Sequence, residues 1–442
     1  MTPSSRALPH RPIPAPRRIP ALVAVTLLAT FAACEPATPP PGEDSVAFVG
    51  ATIWTGAGQA PVEGATMVVR DGRVVSVDTE GAVPEGAEVV ELDGRWIIPG
   101  LIDVHAHVTG GWADASVEDD TARMARDLLL FARHGVTTVN SLGGAPLEAA
   151  AYLRDTEDRP APGRARLQFA GEVVTGPGPE EAVDQVSANA RGGVDWIKLR
   201  VDDNLGTTDR MAWDAVEATL AEAAILGIPV ATHIFYRADA LRLLKMGTGM
   251  IAHSVRDLPV EPSFAEALEE AGACYVPTLT REITTFAYAE RPDWFDDPLF
   301  KRWADSATIA RVTDPEFQAR MAGSSAAEGY RAGLEVARTN LATLHEAGAP
   351  VAMGTDAGPA TRFPGFLEHR ELEMMVDAGL EPREALTAAT AHAAACLGRA
   401  DIGVLERGRW ADFLVLSEDP LADITATRAL EAVYIGGGRV PF

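Results

Sequence analysis

Arg95 to Gly110 reads RWIIPGLIDVHAHVTG, an apolar run that closes on His105-Ala106-His107. Side chains alternate along a strand, so two histidines one residue apart share a face. On a buried strand this puts two imidazoles together at one strand end, a half-site for a divalent metal such as zinc. The competing reading is a pair of surface histidines on a loop. The chain spends only nine histidines on 442 residues, and this pair ends a run of Ile, Leu and Val.

Outward from this stretch the pattern differs on its two sides. Before it, residues 46–98 read as short strands, with turn signals at Asp71-Gly72 and Asp93-Gly94. After it, strand-like and helix-like stretches alternate as far as the PVAMGTD run that ends at Asp356, giving eight β units. Such alternation calls for a parallel sheet, and eight units predict an α/β fold of the closed (β/α)8 (TIM) barrel type. An open doubly wound sheet is the alternative. It is disfavoured because no glycine-rich dinucleotide fingerprint follows the first strand. Residues 280–346 are helical and aromatic-bearing, too long for a simple loop, and are expected to overhang the barrel mouth. The tail after residue 400 returns to β patterning. The expected organisation is a barrel over 99–399, with 46–98 and 400–442 pairing into a small β-sandwich domain.

The first 45 residues stand apart. Arg6, Arg11, Arg17 and Arg18 precede an apolar stretch from Ile19 to Ala33, then Cys34, then a Pro-rich segment. This describes an export signal over residues 1–33 and a linker over 34–45. Ala32-Ala33-Cys34 resembles a bacterial lipobox, which would make Cys34 a lipidation site on a membrane lipoprotein facing the periplasm. Ordinary cleavage, giving a soluble periplasmic or secreted protein, is the alternative. The remaining cysteines, Cys274 and Cys396, are expected to be buried core thiols, since two cysteines make no disulfide framework. A net charge of -25 argues against nucleic acid or anionic membrane as a binding partner.

Four further residues fall at the ends of expected barrel strands: Lys198, His233, His253 and Asp356. Each has a bland reading. A histidine on an apolar strand is often a hydrogen-bonded core residue, an aspartate after Gly-Thr can cap a helix, and a lysine can snorkel to solvent. Taken with His105 and His107 they describe one barrel mouth, because barrel active sites draw on the ends of different strands.

At these residues the chain resembles the amidohydrolase superfamily of metal-dependent hydrolases. PGLIDVHAH, GTDAG and the tail LERGRWADFLVLSEDPL carry the resemblance across residues 46–442. Within that superfamily it looks like the prolidase-like or imidazolonepropionase-like members. The resemblance implies a binuclear site with two divalent ions, most readily Zn2+. His105, His107 and Asp356 would hold one ion and His233 and His253 the other. Lys198, N6-carboxylated, would bridge them. It also implies hydrolysis of a C–N amide-type bond by a water activated between the ions, with Asp356 as the catalytic proton carrier. A dipeptide, an N-acyl amino acid or a cyclic amide is the expected small-molecule substrate. A lactone, carbamate or phosphoester at the same site is the alternative, and a non-catalytic binding protein on this fold a further one. Tyr236, Arg256, Arg281 and His369 are candidates for substrate contact, each with a structural reading beside it. His134 and His345, at expected helix C-termini, are read as structural. A homo-oligomer is a further expectation.

Overall fold

The computed structural model describes residues 44–56, 58–79, 81–112 and 116–442. The expected export signal, Cys34 and all but the last two residues of the linker lie outside them.

The chain begins with five strands: β1 (Ser45–Ile53), β2 (Val62–Arg70), β3 (Arg73–Asp78), β4 (Glu88–Glu91) and β5 (Trp96–Pro99). The Asp71-Gly72 turn closes the β2–β3 hairpin with φ of 51° and 75°. That is the left-handed pair a tight two-residue hairpin requires. Seven more strands run through the middle of the chain: β6 (Leu101–Ala106), β7 (Val136–Ser141), β8 (Arg166–Phe169), β9 (Ile197–Arg200), β10 (Val230–His233), β11 (Met250–Ala252) and β12 (Cys274–Val276). The chain ends with β13 (Phe413–Leu416), β14 (Leu430–Ile435) and β15 (Gly438–Arg439).

The two ends share one eight-stranded sheet in the order β15-β14-β13-β5-β1-β2-β3, with β4 also paired to β1. They do not form two stacked sheets, as a sandwich would. The reason is β5, which pairs parallel with β1 and antiparallel with β13, so backbone hydrogen bonds run without a break from one chain end to the other. The sheet then curls on itself. Val74 N–H donates to the Arg409 carbonyl at 2.9 Å. Phe48 lies edge-on to Phe413 and Tyr434, at 4.9 and 5.0 Å between centroids.

β6 to β12 form the expected alternation with helices, in parallel pairings. They do not close into one sheet. A three-stranded sheet (β6-β7-β8) and a four-stranded sheet (β12-β11-β10-β9) are joined by a single bridge, Val174 to Leu199. The eighth position, at Val351 to Asp356, is not a regular strand. It bridges Tyr275 through Val351 and accepts a hydrogen bond from Val104 N–H on the Met353 carbonyl, 3.1 Å. The arrangement is a TIM-barrel-like α/β fold. The ladders fail near the residues that end them: His253, Thr278 and Asp356 have φ of 73°, 49° and 60°. A left-handed residue turns its side chain out of the strand register and stops the pairing.

Cys274, at the start of β12, and Cys396, at the end of the helix Ala391–Cys396, form a disulfide with their Cα atoms 5.8 Å apart. This corrects the expectation of separate core thiols. The two residues are 122 apart in sequence and meet only because that helix closes the chain beneath the strands. The segment expected to overhang the mouth is a run of short helices ending in the 22-residue helix Ser325–Glu346. Tyr330 of this helix donates a hydrogen bond to Asn204 Oδ1, at 2.9 Å, in the loop after β9.

Candidate metal centre

His105 lies near the end of β6, which is buried along its whole length, and His107 follows its last residue. Two glycines let the chain that carries Asp356 approach them. A Cβ on Gly354 would come within 2.9 Å of the His105 Cβ, and one on Gly358 within 1.9 Å of the His107 carbonyl oxygen. The GTDAG sequence therefore holds glycine where backbone must lie against backbone. The ligand atoms of His105, His107 and Asp356 consequently fall within 4.8 Å of one another.

His107 Nδ1 donates to the Gly143 carbonyl at 2.9 Å, which leaves Nε2 as a bare lone pair. That lone pair faces Asp356 Oδ1 at 2.8 Å. Two electron-pair donors at this separation call for a cation between them, and the donor set suits a divalent metal. Asp356 Oδ2 is held by Arg362. Burial opposes the charge on Asp356, but the Arg362 guanidinium keeps its carboxyl well below the usual carboxylate range.

The second group adjoins the first through His105. Lys198 Nζ lies 2.7 Å from His105 Nε2. The His253 ring is 4.6 Å from that of His105 and 4.1 Å from that of His233. His253 Nδ1 lies 2.7 Å from Thr278 Oγ1, and His233 Nε2 lies 3.2 Å from Asp202 Oδ2. Burial, then the neighbouring Lys198, holds His105 well below the usual imidazole range. Burial and the adjoining histidines do the same to His253, and burial brings His233 down to about 4. All three are neutral near pH 7, the state in which imidazole binds metal. Burial also lowers Lys198 to about 7, so its amine is available in the neutral form.

Beneath these ligands Asp103 Oδ1 accepts from His105 N–H at 2.8 Å, and Asp103 pairs with the Thr355 hydroxyl. Asp103 thus ties β6 to the chain that carries Asp356. Its place in DVHAH, two residues before His105 on the same face, is the sequence signal that could have found it. Thr278, Asp202 and Arg362 carried no such signal, since nothing in their spacing marks them as neighbours of His253, His233 and Asp356. A cavity of about 480 Å³ opens beside the cluster, with Thr175, Arg200, Asp202, Asp209 and Arg210 in its wall.

The remaining candidates fall elsewhere. The Tyr236 hydroxyl donates to Asp203 Oδ1 at 2.8 Å, and Arg210 covers its ring. His369 is fully buried; Nε2 donates to the His134 carbonyl at 2.8 Å and Nδ1 lies 3.0 Å from Thr427 Oγ1. Both ring nitrogens are taken up inside the fold, which removes His369 from the substrate candidates. His134 caps the helix Asp120–Arg133, but burial lowers it to about 4, so it meets the helix end as a neutral ring and not as a cation. Arg256 is buried against Glu282 and the Ile234 carbonyl.

The sequence profile of the amidohydrolase family matches residues 96–440. An imidazolonepropionase of Deinococcus radiodurans is 27% identical over 397 residues, covering 86% of this chain and 92% of its own. Among solved structures, a Xaa-Pro dipeptidase with bound methionine in the active site superposes with a TM-score of 0.71 at 19% identity, over 89% of this chain and 99% of its own. Phenylurea hydrolase B superposes with a TM-score of 0.67 at 21% identity, over 90% and 96%. At these identities the two structures bear on the fold alone.

Proposed function

This chain belongs to the amidohydrolase family and is a hydrolase acting on C–N bonds; we propose that it is an exported, binuclear zinc enzyme that cleaves the amide bond of a dipeptide, an N-acyl amino acid or a cyclic amide. The observation that carries the reading is the bare lone pair of His107 facing Asp356 Oδ1 at 2.8 Å. His105, His107 and Asp356 would hold one ion, His233 and His253 the other. Lys198 would join the two as a carbamate, formed when its neutral amine takes up carbon dioxide. Its burial and its 2.7 Å contact with His105 support that role.

When bound, the ions lower the pKa of a water and polarise the scissile carbonyl. The rest falls to side chains of this chain. Asp356 accepts the proton of the attacking water at Oδ1 and returns it to the leaving nitrogen. Arg362 keeps Asp356 ionised and fixes its second oxygen, so the carboxylate meets the proton in one orientation. Thr278 and the Gly143 carbonyl hold the rings of His253 and His107 in place.

Export through a signal over residues 1–33, with Cys34 as lipid attachment, is supported by the Cys274–Cys396 disulfide. Such bonds persist in oxidising compartments such as the periplasm.

Metal analysis tests the reading. The expected content is two divalent ions per chain, falling in Lys198→Ala, with amide hydrolysis lost on chelation and in Asp356→Asn. Fewer than one ion per chain, or hydrolysis indifferent to chelator, would overturn it.

A further inference from the structure

His233 is mounted differently from His107 and His253. Those two spend Nδ1 on the fold, His107 on the Gly143 carbonyl at 2.9 Å and His253 on Thr278 Oγ1 at 2.7 Å, so Nε2 is their free nitrogen. In His233 it is Nε2 that faces a fold atom, Asp202 Oδ2 at 3.2 Å. A neutral imidazole carries one ring hydrogen, and the acceptor that takes it decides which nitrogen keeps a lone pair. A carboxylate oxygen can only accept. Asp202 therefore favours the hydrogen on Nε2 and leaves the lone pair on Nδ1.

Strand register brings Asp202 to this place. β9 and β10 pair in parallel with Arg200 opposite His233, and Val201 N–H donates to the His233 carbonyl at 3.1 Å. Asp202 lies two residues beyond Arg200 and four beyond Lys198, so alternation directs it to the face that carries Lys198. Asp202 is itself fixed. It is buried, and Arg200 Nε donates to its Oδ1 at 2.8 Å, which leaves Oδ2 for His233. The loop beyond it is tied down as well. Asp203 Oδ1 accepts from the Tyr236 hydroxyl at 2.8 Å, and Asn204 Oδ1 from the Tyr330 hydroxyl at 2.9 Å. Arg200 and Asp202 both lie in the wall of the 480 Å³ cavity, so a salt bridge that only shapes that wall is the rival reading. The Arg200 side chain is 39% exposed, however, and needs no buried partner.

We infer that Asp202 is a positioning residue of the metal centre, which holds the His233 ring with Nδ1 as its ligating nitrogen and so sets the affinity of the His233–His253 half of the site. The inference rests on the binuclear reading and adds to it a residue that supplies no ligand atom. A carboxylate behind an imidazole fixes the ring and makes its other nitrogen more basic. His107 and His253 have only uncharged partners, a carbonyl and a hydroxyl. Loss of such an orienting partner costs about 10- to 100-fold in metal affinity. His105, His107 and Asp356 form a group of their own, so the loss should fall on one ion and spare the other.

The test titrates zinc alone into the metal-free full chain against a chromophoric chelator, with bicarbonate present to carboxylate Lys198. The wild type is expected to bind two ions. In Asp202→Ala one dissociation constant is expected to rise about 10- to 100-fold while the other stays within about threefold. Asp202→Asn, which keeps an acceptor without the charge, is expected to fall between. Arg200→Met removes the same salt bridge but leaves the carboxylate facing His233, and should bind both ions within about threefold of wild type. An Asp202→Ala that binds both ions as the wild type does, or loses both equally, overturns the inference; so does an Arg200→Met that loses as much as Asp202→Ala. Long-range proton–nitrogen NMR correlation of the histidine rings reads the same role without metal. His233 should carry its hydrogen on Nε2 in the wild type and lose that preference in Asp202→Ala. If the wild type holds fewer than one ion yet shows this change, the binuclear reading fails and Asp202 still positions the ring. A hydrogen on Nδ1 in the wild type, or the same state in both proteins, overturns the inference.

Discussion

Glu282→Gln removes the one carboxylate shared by Arg256 and Arg281 and leaves their two charges facing each other in a buried site. At the Arg281 separation of 3.1 Å, an effective dielectric near 20 gives roughly 5 kcal/mol of attraction for a single pair. Part of that only offsets the cost of having buried the ions. Breaking a buried pair by removing one partner costs about 3–5 kcal/mol, because a charge is left unmatched. Glutamine fills the same volume and keeps one carbonyl acceptor, so the loss is electrostatic and leaves no cavity. The expected result is a destabilisation of about 3–5 kcal/mol in urea unfolding. The decisive arm is the double variant. Arg281→Met removes one of the two cations that Glu282 holds apart, so Glu282→Gln together with Arg281→Met should recover at least half of the loss, and the cycle should give a coupling of about 1–3 kcal/mol. A Glu282→Gln protein within about 1 kcal/mol of wild type, or a double variant whose losses simply add, would refute the reasoning that Glu282 holds both guanidiniums in place.

Two further predictions concern acid stability and the chain terminus. His134 and His369 are buried as neutral rings and lowered to about 4 and about 3. Unfolded they titrate near 6.5. Their contribution is whole above about pH 6.5 and falls by roughly 1.4 kcal/mol per pH unit for each ring as pH drops toward their folded values. Glu371, pushed up to about 8 by burial, acts in the opposite sense over its own range, gaining stability as pH falls. The informative quantity is therefore a difference of slopes. His134→Gln should reduce the pH 6.5-to-5 loss in unfolding free energy by about 2 kcal/mol, and identical slopes in the two proteins would contradict a neutral buried His134. Cys34→Ala should move the protein from the membrane to the soluble fraction of an expressing bacterium; unchanged fractionation would leave soluble export as the remaining reading.

What the sequence made legible was whatever depends on local period. The His-x-His pair follows from alternation along one strand; the same alternation places Asp103 beneath it, although the sequence reading did not single Asp103 out. The hairpin at Asp71-Gly72 follows from turn chemistry, and the succession of parallel strands from strand–helix alternation. The features that period does not encode were missed. The Cys274–Cys396 bond depends on where a late helix comes to rest. The single curled sheet depends on one strand, β5, pairing on both its edges. The open ladders at the strand ends depend on left-handed backbone at His253, Thr278 and Asp356, and nothing in those residue types announces it. The missed site residues follow the same logic. Arg362, Thr278 and Asp202 all lie on loops or just past strand ends, where spacing carries no period and contact is decided by the turn.

The same distinction separates Arg281 from His369. Both are polar residues that read from sequence as substrate contacts or as structural groups, with nothing to choose between them. Hydrogen-bond satisfaction separates them: both nitrogens of His369 are in contact with fold atoms, whereas Arg281 shares its carboxylate with a second arginine and keeps an unpaired Nε. A buried polar group that the fold satisfies is part of the scaffold. Arg281 belongs to the same scaffold through Glu282 and the Tyr330 ring, but a single carboxylate holds two guanidiniums there, so the arrangement depends on Glu282 more than that of His369 depends on any one partner.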